Sequence, residues 1–420
     1  MAKQNKPAIR FKGFTDAWEQ RKFSDLYAPL VERNSDLLPY NKTLSVATMT
    51  YKTDGNGAAD SSLANYKRLR TGDIAFEGHT SKSFRYGRFV LNDVGDGIMS
   101  PRFSALRPLA QMPTNFWKYY IHYEPIMRKI LVASTKAGTM MNELVIDEFL
   151  KSSVLVPSIE EQTRIGSILK NIDNLITLHQ RKFDKLQVLK KAMLEKMFPK
   201  NGSSVPEIRF KGFTDAWEQR KLEDYLTVSA EKNTDNLYTK KDVLSVSGDF
   251  GVVNQIEFQG RSFAGASVSN YGVVHTGDVV YTKSPLKANP YGIIKANKGK
   301  PGIVSVLYGV YHTRENANAD FIQMYFEQDA RLNNYLRPLV NKGAKNTLLI
   351  SDTDALEGEV CLAPTFDEQK AIGQFFDSLD NLITLHQRKF YIYGMSNFHM
   401  RRLSQFNHII FYARYCFWWS

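Results

Sequence analysis

Two segments of the chain concentrate basic and amide side chains among small and aromatic residues. The first segment carries Lys67, Arg68, Arg70, Lys82, Arg85 and Arg88. The second carries Lys283, Lys287, Asn289, Lys295, Lys298 and Lys300. Lysine and arginine can neutralise phosphates, and arginine or asparagine can bind base edges through two hydrogen bonds. These residue types predict contact with a nucleic acid, although solvated surface loops would show the same composition.

The overall charge is compatible with a polyanionic partner but does not establish one. The net charge is +12 at pH 7, and the isoelectric point is about 9.3. Residues 206–362 contain 18 Lys/Arg and 19 Asp/Glu, so this part is not basic on average. Within it, residues 279–314 contain no acidic residue at all. A local positive surface can therefore exist where the average charge hides it.

Sequence motifs of common catalytic sites are missing. The chain has no Gly-x-x-x-x-Gly-Lys-Ser/Thr loop for ATP phosphates, no Gly-x-Gly-x-x-Gly turn after a strand and no Gly-x-Ser-x-Gly elbow. Its eight histidines are dispersed without metal-ligand spacing. Asn289-Pro290-Tyr291 partly matches the Asn-Pro-Pro-Tyr loop of amino-methyltransferases. No glycine-rich cofactor loop precedes it, so a binding module is favoured over a solitary methyltransferase.

The chain is a tandem duplication. The fourteen residues Ile9–Lys22 recur unchanged as Ile208–Lys221, and Asp173–Phe183 recurs as Asp380–Phe390. Between these blocks the two halves differ heavily. Random divergence after a duplication would not leave some segments identical while the segments between them differ almost completely. Constant frames around variable inserts indicate two modules that share a partner but differ in what they bind.

Each half contains a long helical pattern that begins at a capping box. Ser158 and Glu161 form the first box, and Thr365 and Glu368 form the second. A helix from about 160 to 197 would be ~57 Å long, which exceeds one turn of DNA. Such a helix could hold two reading domains at a fixed spacing.

Apolar residues follow each box at the 3-4 spacing of a coiled coil. In the first helix they are Ile165, Leu169, Ile172, Ile176, Phe183 and Leu186. In the second they are Ile372, Phe376, Leu379, Ile383 and Phe390. We expect the two helices to pair through this seam. Two amphipathic helices packed on separate domains would show the same pattern.

The length of 420 residues predicts two or three domains. Short β-rich runs followed by helical stretches predict a mixed α+β domain in each variable segment. With two cysteines, Cys361 and Cys416, a disulfide framework is not expected. The sequence shows no signal peptide and no apolar run of membrane-spanning length. We expect a cytoplasmic protein without a membrane partner.

This organisation resembles the specificity subunit of a type I restriction–modification system across the whole chain. The helix starts at residues 157–162 and 364–369 resemble the Pro-x-x-x-Glu-Gln motif of that family. Ile165 and Ile372 follow three residues after the glutamine, and the openings at residues 18–22 and 217–221 also fit. The order and duplication of these motifs are more specific than any one of them.

The resemblance implies an α+β fold with two mixed α/β target-recognition domains separated by two long helices that form an antiparallel coiled coil. The implied division is 1–156 and 201–363 for the recognition domains, 157–200 and 364–390 for the helical regions, and 391–420 for a divergent tail. Each recognition domain would read one half of a split sequence in double-stranded DNA. The chain would be non-catalytic and bind no cofactor itself. Two methylation subunits would carry S-adenosylmethionine, and two restriction–translocation subunits would use ATP and Mg.

The second copy departs from the first after Phe390. Ten of the last 30 residues are aromatic, and Gly394 would weaken a helix by about 1 kcal/mol. We therefore expect a shortened second helix with one impaired docking site for a methylation subunit, unless the aromatic residues complete the bundle. A protein–protein scaffold around a coiled coil is the alternative function. Salt-dependent DNA binding would separate the two.

Overall fold

The computed structural model describes residue 7 and residues 10–54, 60–200, 202–343 and 348–401. The chain forms two compact units. The first unit takes its described residues from 1–180 and from 388 onwards, and the second comprises residues 181–387. Each unit therefore combines an α+β region with segments from both long helices.

The first unit contains twelve strands among its described residues. They are β1 (Glu19–Lys22), β2 (Tyr27–Pro29), β3 (Leu44–Ser45), β4 (Thr50–Tyr51), β5 (Lys67–Leu69), β6 (Ile74–Glu77), β7 (Arg88–Leu91), β8 (Gly97–Met99), β9 (Ala105–Pro108), β10 (Thr135–Lys136), β11 (Glu143–Leu144) and β12 (Ser153–Val156). The helices that begin in this unit are α1 (Thr114–Tyr120), α2 (Glu124–Ser134), α3 (Ile146–Lys151) and α4 (Ile159–Lys196).

A four-stranded antiparallel sheet in the order β2-β9-β6-β7 organises the first unit. All four residues of β6 are buried, as expected for an inner strand covered on both faces. Phe23, Phe89, Trp117 and Phe149 form the core between this sheet and the helices. The rings of Phe23 and Phe149 lie 4.2 Å apart. The sheet is complete before α1 begins, which confirms the predicted order of strands and helices here.

The second unit also contains twelve strands among its described residues. They are β13 (Glu218–Lys221), β14 (Leu226–Val228), β15 (Leu244–Ser247), β16 (Gly251–Asn254), β17 (Gly272–Val274), β18 (Val279–Thr282), β19 (Ile293–Ala296), β20 (Gly302–Val304), β21 (Tyr308–Thr313), β22 (Asn341–Lys342), β23 (Leu348–Leu349) and β24 (Glu359–Leu362). The helices that begin in this unit are α5 (Gln255–Gln259), α6 (Ala319–Tyr325), α7 (Asp329–Leu336) and α8 (Phe366–Arg401).

The second unit repeats the sheet of the first, in the order β14-β21-β18-β19. In both units the strand from the identical repeat closes the domain: β1 pairs with β12, and β13 pairs with β24. The β15–β16 hairpin is longer than its counterpart β3–β4 and is followed by α5. The mixed α+β prediction is confirmed, and the two variable segments differ by insertions on one scaffold.

The long helices begin where the capping boxes predict, but the second helix is longer than expected. It continues past Phe390 and through Gly394 to Arg401. The expectation that it ends near Phe390 is therefore wrong. One glycine costs about 1 kcal/mol, and a helix already nucleated over many residues can propagate through it. Residues 402–420 of the divergent tail lie outside the described residues.

Candidate nucleic-acid interface

Two loops occupy the same position in the two sheets. Residues 78–87 connect β6 to β7, and residues 283–292 connect β18 to β19. Gly87 and Gly292 end these loops with φ of +80° and +94°. A Cβ on Gly87 would lie 2.7 Å from the Glu77 carbonyl oxygen. Glycine is thus required where each loop returns to its sheet.

Four of the predicted DNA-binding residues are exposed and form no ion pair with any described residue. They are Lys82 and Arg85 on the first loop, Lys287 on the equivalent loop, and Lys300 between β19 and β20. Arg88 is half-buried beside them. It donates to the Ala47 carbonyl (2.8 Å), and its guanidinium lies 5.0 Å from the Phe84 ring centre. This contact brings the tip of the β3–β4 hairpin next to the first loop.

Two other predicted residues of the first segment are engaged inside the protein. Arg68 is 7% exposed and forms ion pairs with Asp36 (2.9 Å) and Asp96 (3.0 Å). The Lys67 ammonium donates to the Phe103 carbonyl at 2.6 Å. Burial lowers the pKa of Lys67 below its usual value. Their positive charges are directed at neighbouring groups of the protein.

Arg70 belongs to a network of four charged residues, with Glu32, Asp73 and Arg107. It pairs with Glu32 at 2.7 Å, while Arg107 pairs with Asp73 at 2.8 Å and also contacts Glu32. Asp73 is 1% exposed and accepts from the Arg70 backbone N–H at 2.7 Å. The hydrogen bond from Arg70, with help from Arg107, lowers the pKa of Glu32 to about 2.

The second unit builds the same network with histidines. Asp278 accepts from the His275 backbone N–H at 2.6 Å and contacts His312 Nδ1 at 2.7 Å. His275 Nε2 lies 2.8 Å from Glu231. His275 and His312 occupy the positions of Arg70 and Arg107. The spacing of the histidines gave no sign of this pairing, and the only signal in the sequence was the shared Thr-Gly-Asp turn at residues 71–73 and 276–278.

Most predicted residues of the second segment are also bound by acidic partners within the protein. Lys295 is 7% exposed and lies 2.5 Å from Glu327. Lys283 is largely buried and pairs with Asp352 at 2.7 Å. Their ammonium groups are thus turned toward carboxylates.

Lys298 and Asn289 are similarly engaged. Lys298 contacts Asp320 at 3.1 Å and also pairs with Asp377. Although burial lowers the pKa of Lys298, these two carboxylates raise it above the usual value. Asn289 is 8% exposed and donates to Asp329 at 2.8 Å.

A buried ion pair ties each identical repeat to the start of a long helix. Arg10 binds Glu161 through two hydrogen bonds of 2.6 and 2.7 Å, and Arg209 binds Glu368 in the same way. Both glutamates are 1% exposed. One half of each predicted capping box is present. The hydroxyls of Ser158 and Thr365 accept from the backbone N–H groups of Glu161 and Glu368, both at 3.3 Å. The glutamate carboxylates do not accept from the backbone N–H of a capping box. They accept from the charged guanidinium groups, which are stronger donors.

The neighbouring glutamines fix the same helix starts. Gln162 accepts from the Trp117 indole N–H (3.0 Å) and donates to the Pro157 carbonyl (2.8 Å). Gln369 accepts from the Asn318 backbone N–H at 2.9 Å. The Glu-Gln pair is therefore a buried anchor between the helix and its domain.

A glycine lets each helix approach its domain closely. A Cβ on Gly166 would lie 2.5 Å from the Phe116 backbone nitrogen, and one on Gly373 would lie 3.0 Å from Asp320 Cβ. Beside them, Ile165 packs against the domain core, and Ile372 lies within the core of the second unit. These two seam residues thus contact domain cores.

The remaining seam residues lie on the more buried face of each helix. In the first unit Leu169, Ile172, Ile176 and Phe390 are half-buried. In the second unit Phe376 and Leu379 are buried, and Phe183, Leu186 and Ile383 are half-buried. Leucines of the repeated block point away from this face: Leu175, Leu178, Leu382 and Leu385 are 37–46% exposed. The residues at the 3-4 spacing are therefore less exposed than these leucines, and their pairing across the two helices stays a prediction.

Within each unit, side-chain contacts join the segments of the two long helices, or the residues just after them. In the second unit, Lys190 pairs with Asp380 at 2.8 Å, and the Phe198 and Phe376 rings lie 6.1 Å apart. In the first unit, the His179 and Tyr393 rings stack at 5.5 Å. Residue numbers rise along one helix as they fall along the other in the second unit.

The part of the chain that the structure describes holds neither a cluster of metal ligands nor a membrane-spanning helix. No group of three or more His, Cys, Asp or Glu side chains there is arranged to hold a metal ion. None of its helices combines the length and apolar character needed to cross a membrane.

Sequence comparisons find similarity to specificity subunits of type I restriction enzymes. Residues 81–188 match the family model described as the type I restriction modification DNA specificity domain. A Methanocaldococcus jannaschii protein, whose name describes it as the MjaX type I restriction enzyme specificity subunit, is 22% identical over 407 residues and 89% of each chain. The MjaVIII specificity subunit of the same organism is 23% identical over 285 residues, 64% of this chain and 65% of its own.

A solved structure shows the same fold. The S subunit of a type I restriction–modification system from M. genitalium aligns with a TM-score of 0.56 at 10% identity. The alignment covers 96% of this chain and 99% of that chain. The fold is therefore shared over nearly the full length of both chains.

Proposed function

We propose that this chain is a specificity subunit of a type I restriction–modification system, like the proteins it resembles, and that its two units read the two halves of a split, asymmetric DNA sequence. The recognition domains are 1–156 and 201–363. One observation carries this proposal: the two units share one sheet order and one buried anchor, yet present different side chains on equivalent loops. Different side chains on a common scaffold would bind different bases in a common orientation.

Phosphate contacts would come from the basic residues that the protein leaves exposed. We assign this role to Lys82, Arg85, Lys287 and Lys300. Each exposed cation can neutralise a phosphate and release a counterion. The ion-paired residues of the two segments would instead stabilise the domains that carry the loops.

The two long helices would form an antiparallel coiled coil that sets the distance between the half-sites. Support comes from the second unit, where the Phe198–Phe376 and Lys190–Asp380 contacts follow one antiparallel register. The His179–Tyr393 stack in the first unit fits the same register. A rigid spacer of this kind would leave the bases between the half-sites unread.

The repeated helix surface would receive two copies of one partner, the methylation subunit. Leu175 and Leu178 are exposed at positions equivalent to Leu382 and Leu385, within a block that is identical in both copies. Exposed apolar side chains on a charged helix are typical of docking surfaces. This chain would be non-catalytic. S-adenosylmethionine would bind to the methylation subunits, and ATP and Mg to two restriction–translocation subunits.

A domain exchange tests the proposal. The chain is co-expressed with its methylation subunits, residues 23–156 are replaced by another insert, and methylated adenines are sequenced genome-wide. Only one half of the recognised sequence should change, and exchange of residues 222–363 should change only the other half. A change in both halves, or in neither, contradicts modular reading. If DNA binding by the complex does not depend on salt, the scaffold function is favoured instead.

A further inference from the structure

Three phenylalanines are unusually exposed on the β15–β16 hairpin and the segment that follows it in the second unit. Phe250 at the tip of the β15–β16 hairpin is 61% exposed, Phe258 on α5 is 45% exposed, and Phe263 is 55% exposed. The rings of Phe250 and Phe258 contact each other with centroids 5.3 Å apart. Exposed aromatic pairs on a surface element are a common sign of a binding site.

The segment that carries them is held by its own hydrogen bonds. Asn254 accepts from the backbone N–H groups of Ile256 (3.0 Å) and Glu257 (3.2 Å) and so caps α5. The Gln255 side chain donates to the Ser245 hydroxyl (3.0 Å) and accepts from the Phe263 backbone N–H (2.6 Å). The pair is thus presented on an anchored support, which lowers the entropic cost of binding.

The hairpin that carries Phe250 packs beside the strand that follows the proposed DNA loop. β16 packs beside β19, which begins where the Lys287 loop ends. The first unit has the same arrangement, where Arg88 on the strand after the loop contacts the hairpin tip. α5 also lies against the 3-10 helix of Lys240 and Lys241, both exposed.

The charges around the pair are mixed. Lys240, Lys241 and Lys287 can neutralise phosphates, whereas Asp249 and Glu257 on the segment itself are exposed acids. In a complex with DNA, the two aromatic rings could enter a groove of the duplex while the lysines contact the phosphate backbone.

We propose that Phe250 and Phe258 form an apolar wedge that contacts base steps of the second half-site and partly unstacks them. The inference rests on the proposed function and adds a mode of readout to it. Apolar side chains that enter a groove can kink the duplex, and the cost of unstacking depends on the sequence. The wedge would thereby select flexible steps in one half-site only.

The first unit lacks this feature in the part of its hairpin that the structure describes. Val46 and Met49 at the corresponding turn are 4% and 3% exposed, so they belong to the core. The DNA distortion should therefore be confined to the half-site bound by the second unit.

The test uses the full chain assembled with its methylation subunits and a duplex that carries the target found by methylation sequencing. 2-Aminopurine is placed in one half-site or the other, at a step away from the methylated adenine, because its fluorescence rises on unstacking and a base to be methylated is itself flipped out of the stack. We expect a rise only in the second half-site. Phe250→Ala with Phe258→Ala should abolish it and weaken binding about tenfold or more. Phe366→Ala, which removes an exposed phenylalanine of α8, is the matched control and should change neither signal.

The outcomes separate this inference from the proposed function. Wild-type fluorescence and affinity in the double variant would overturn the wedge while leaving DNA recognition intact. Unchanged DNA binding combined with loss of a protein partner would assign the patch to protein docking and overturn it as well. If the wild-type complex shows no salt-dependent binding to the duplex, the proposed function itself fails.

Discussion

Arg10 and Glu161 lie 151 positions apart in sequence and meet through two hydrogen bonds of 2.6 and 2.7 Å. Arg209 and Glu368 repeat this relationship in the second unit. The ion pair joins the beginning of each domain to the helix that leaves it. The pair accounts for Arg10 and Arg209 within the unchanged repeats, because loss of either arginine would leave a buried carboxylate unpaired.

Breaking this anchor should destabilise the chain strongly. Arg10→Ala leaves the Glu161 carboxylate buried without its guanidinium, which costs about 3 kcal/mol or more. Urea unfolding of the first unit should report the loss. Arg21→Ala is the control, because Arg21 forms only an exposed contact with Glu19 at 3.8 Å, worth less than about 1 kcal/mol. Equal effects of the two variants would contradict the role of the anchor.

The exposed lysines should determine the salt dependence of DNA binding. Lys82→Ala or Lys287→Ala should each reduce the slope of log affinity against log salt by about 0.9, because one phosphate contact is lost. Lys283→Ala is the control, since this lysine is already paired with Asp352. Fluorescence anisotropy with the assembled complex measures all three. A slope change in the control alone would show that the wrong cations were assigned.

The charge network of the first unit should make its stability sensitive to acid. Glu32 has a pKa of about 2 in the folded protein, below the ordinary value of 4.5. Its ionised form therefore stabilises the fold above pH 4.5, and this contribution is lost as the pH falls toward 2. Unfolding at pH 5, 4 and 3 should show a shallower loss for Glu32→Gln than for the wild type. Arg70→Gln should flatten the curve similarly, and unchanged curves in both variants would contradict the prediction.

How far the sequence predicts this structure depends on whether a feature is periodic or long-range. The duplication, the α+β class and the first helix could be predicted, since repeats and 3-4 spacing are local patterns. The sequence could not predict which lysines and arginines remain without an acidic partner in the folded protein. Lys295 and Lys287 look alike in sequence, but Glu327, which lies 32 positions from Lys295, pairs with Lys295 and not with Lys287. The Arg10–Glu161 anchor and the His312–Asp278 contact were missed for the same reason, because each joins residues distant in sequence.

Close packing at Gly166 should make that site intolerant of a larger residue. Alanine normally favours a helix over glycine by about 1 kcal/mol. Here the added Cβ would lie 2.5 Å from the Phe116 nitrogen and 2.8 Å from the Asn115 carbonyl carbon. Overpacking against backbone costs about 1–3 kcal/mol, so Gly166→Ala should lower the melting temperature. Gly265→Ala meets no atom within 4 Å and serves as the control. A stabilised Gly166→Ala variant would show that the helix does not lie this close to its domain.

The two proposed docking surfaces should bind their partners unequally. After the repeated Phe183 and Phe390, the first helix continues with exposed Asp184 and Lys185. The second continues with Tyr391 and Ile392, which are 58% and 46% exposed. Two charged positions on one surface are thus replaced by apolar side chains on the other. A partner suited to the first surface would lose its polar contacts at the second.

We therefore expect native mass spectrometry to show one methylation subunit bound about tenfold more tightly than the other. Tyr391→Asp with Ile392→Lys, which restores the repeat, should bring the two affinities together. Asp184→Tyr with Lys185→Ile is the matched variant and should weaken the first site by a similar factor, since it introduces the same apolar pair there. Equal affinities in the wild type would mean that these positions lie outside the docking surface. The continuation of the helix to Arg401 would then be enough to preserve both sites.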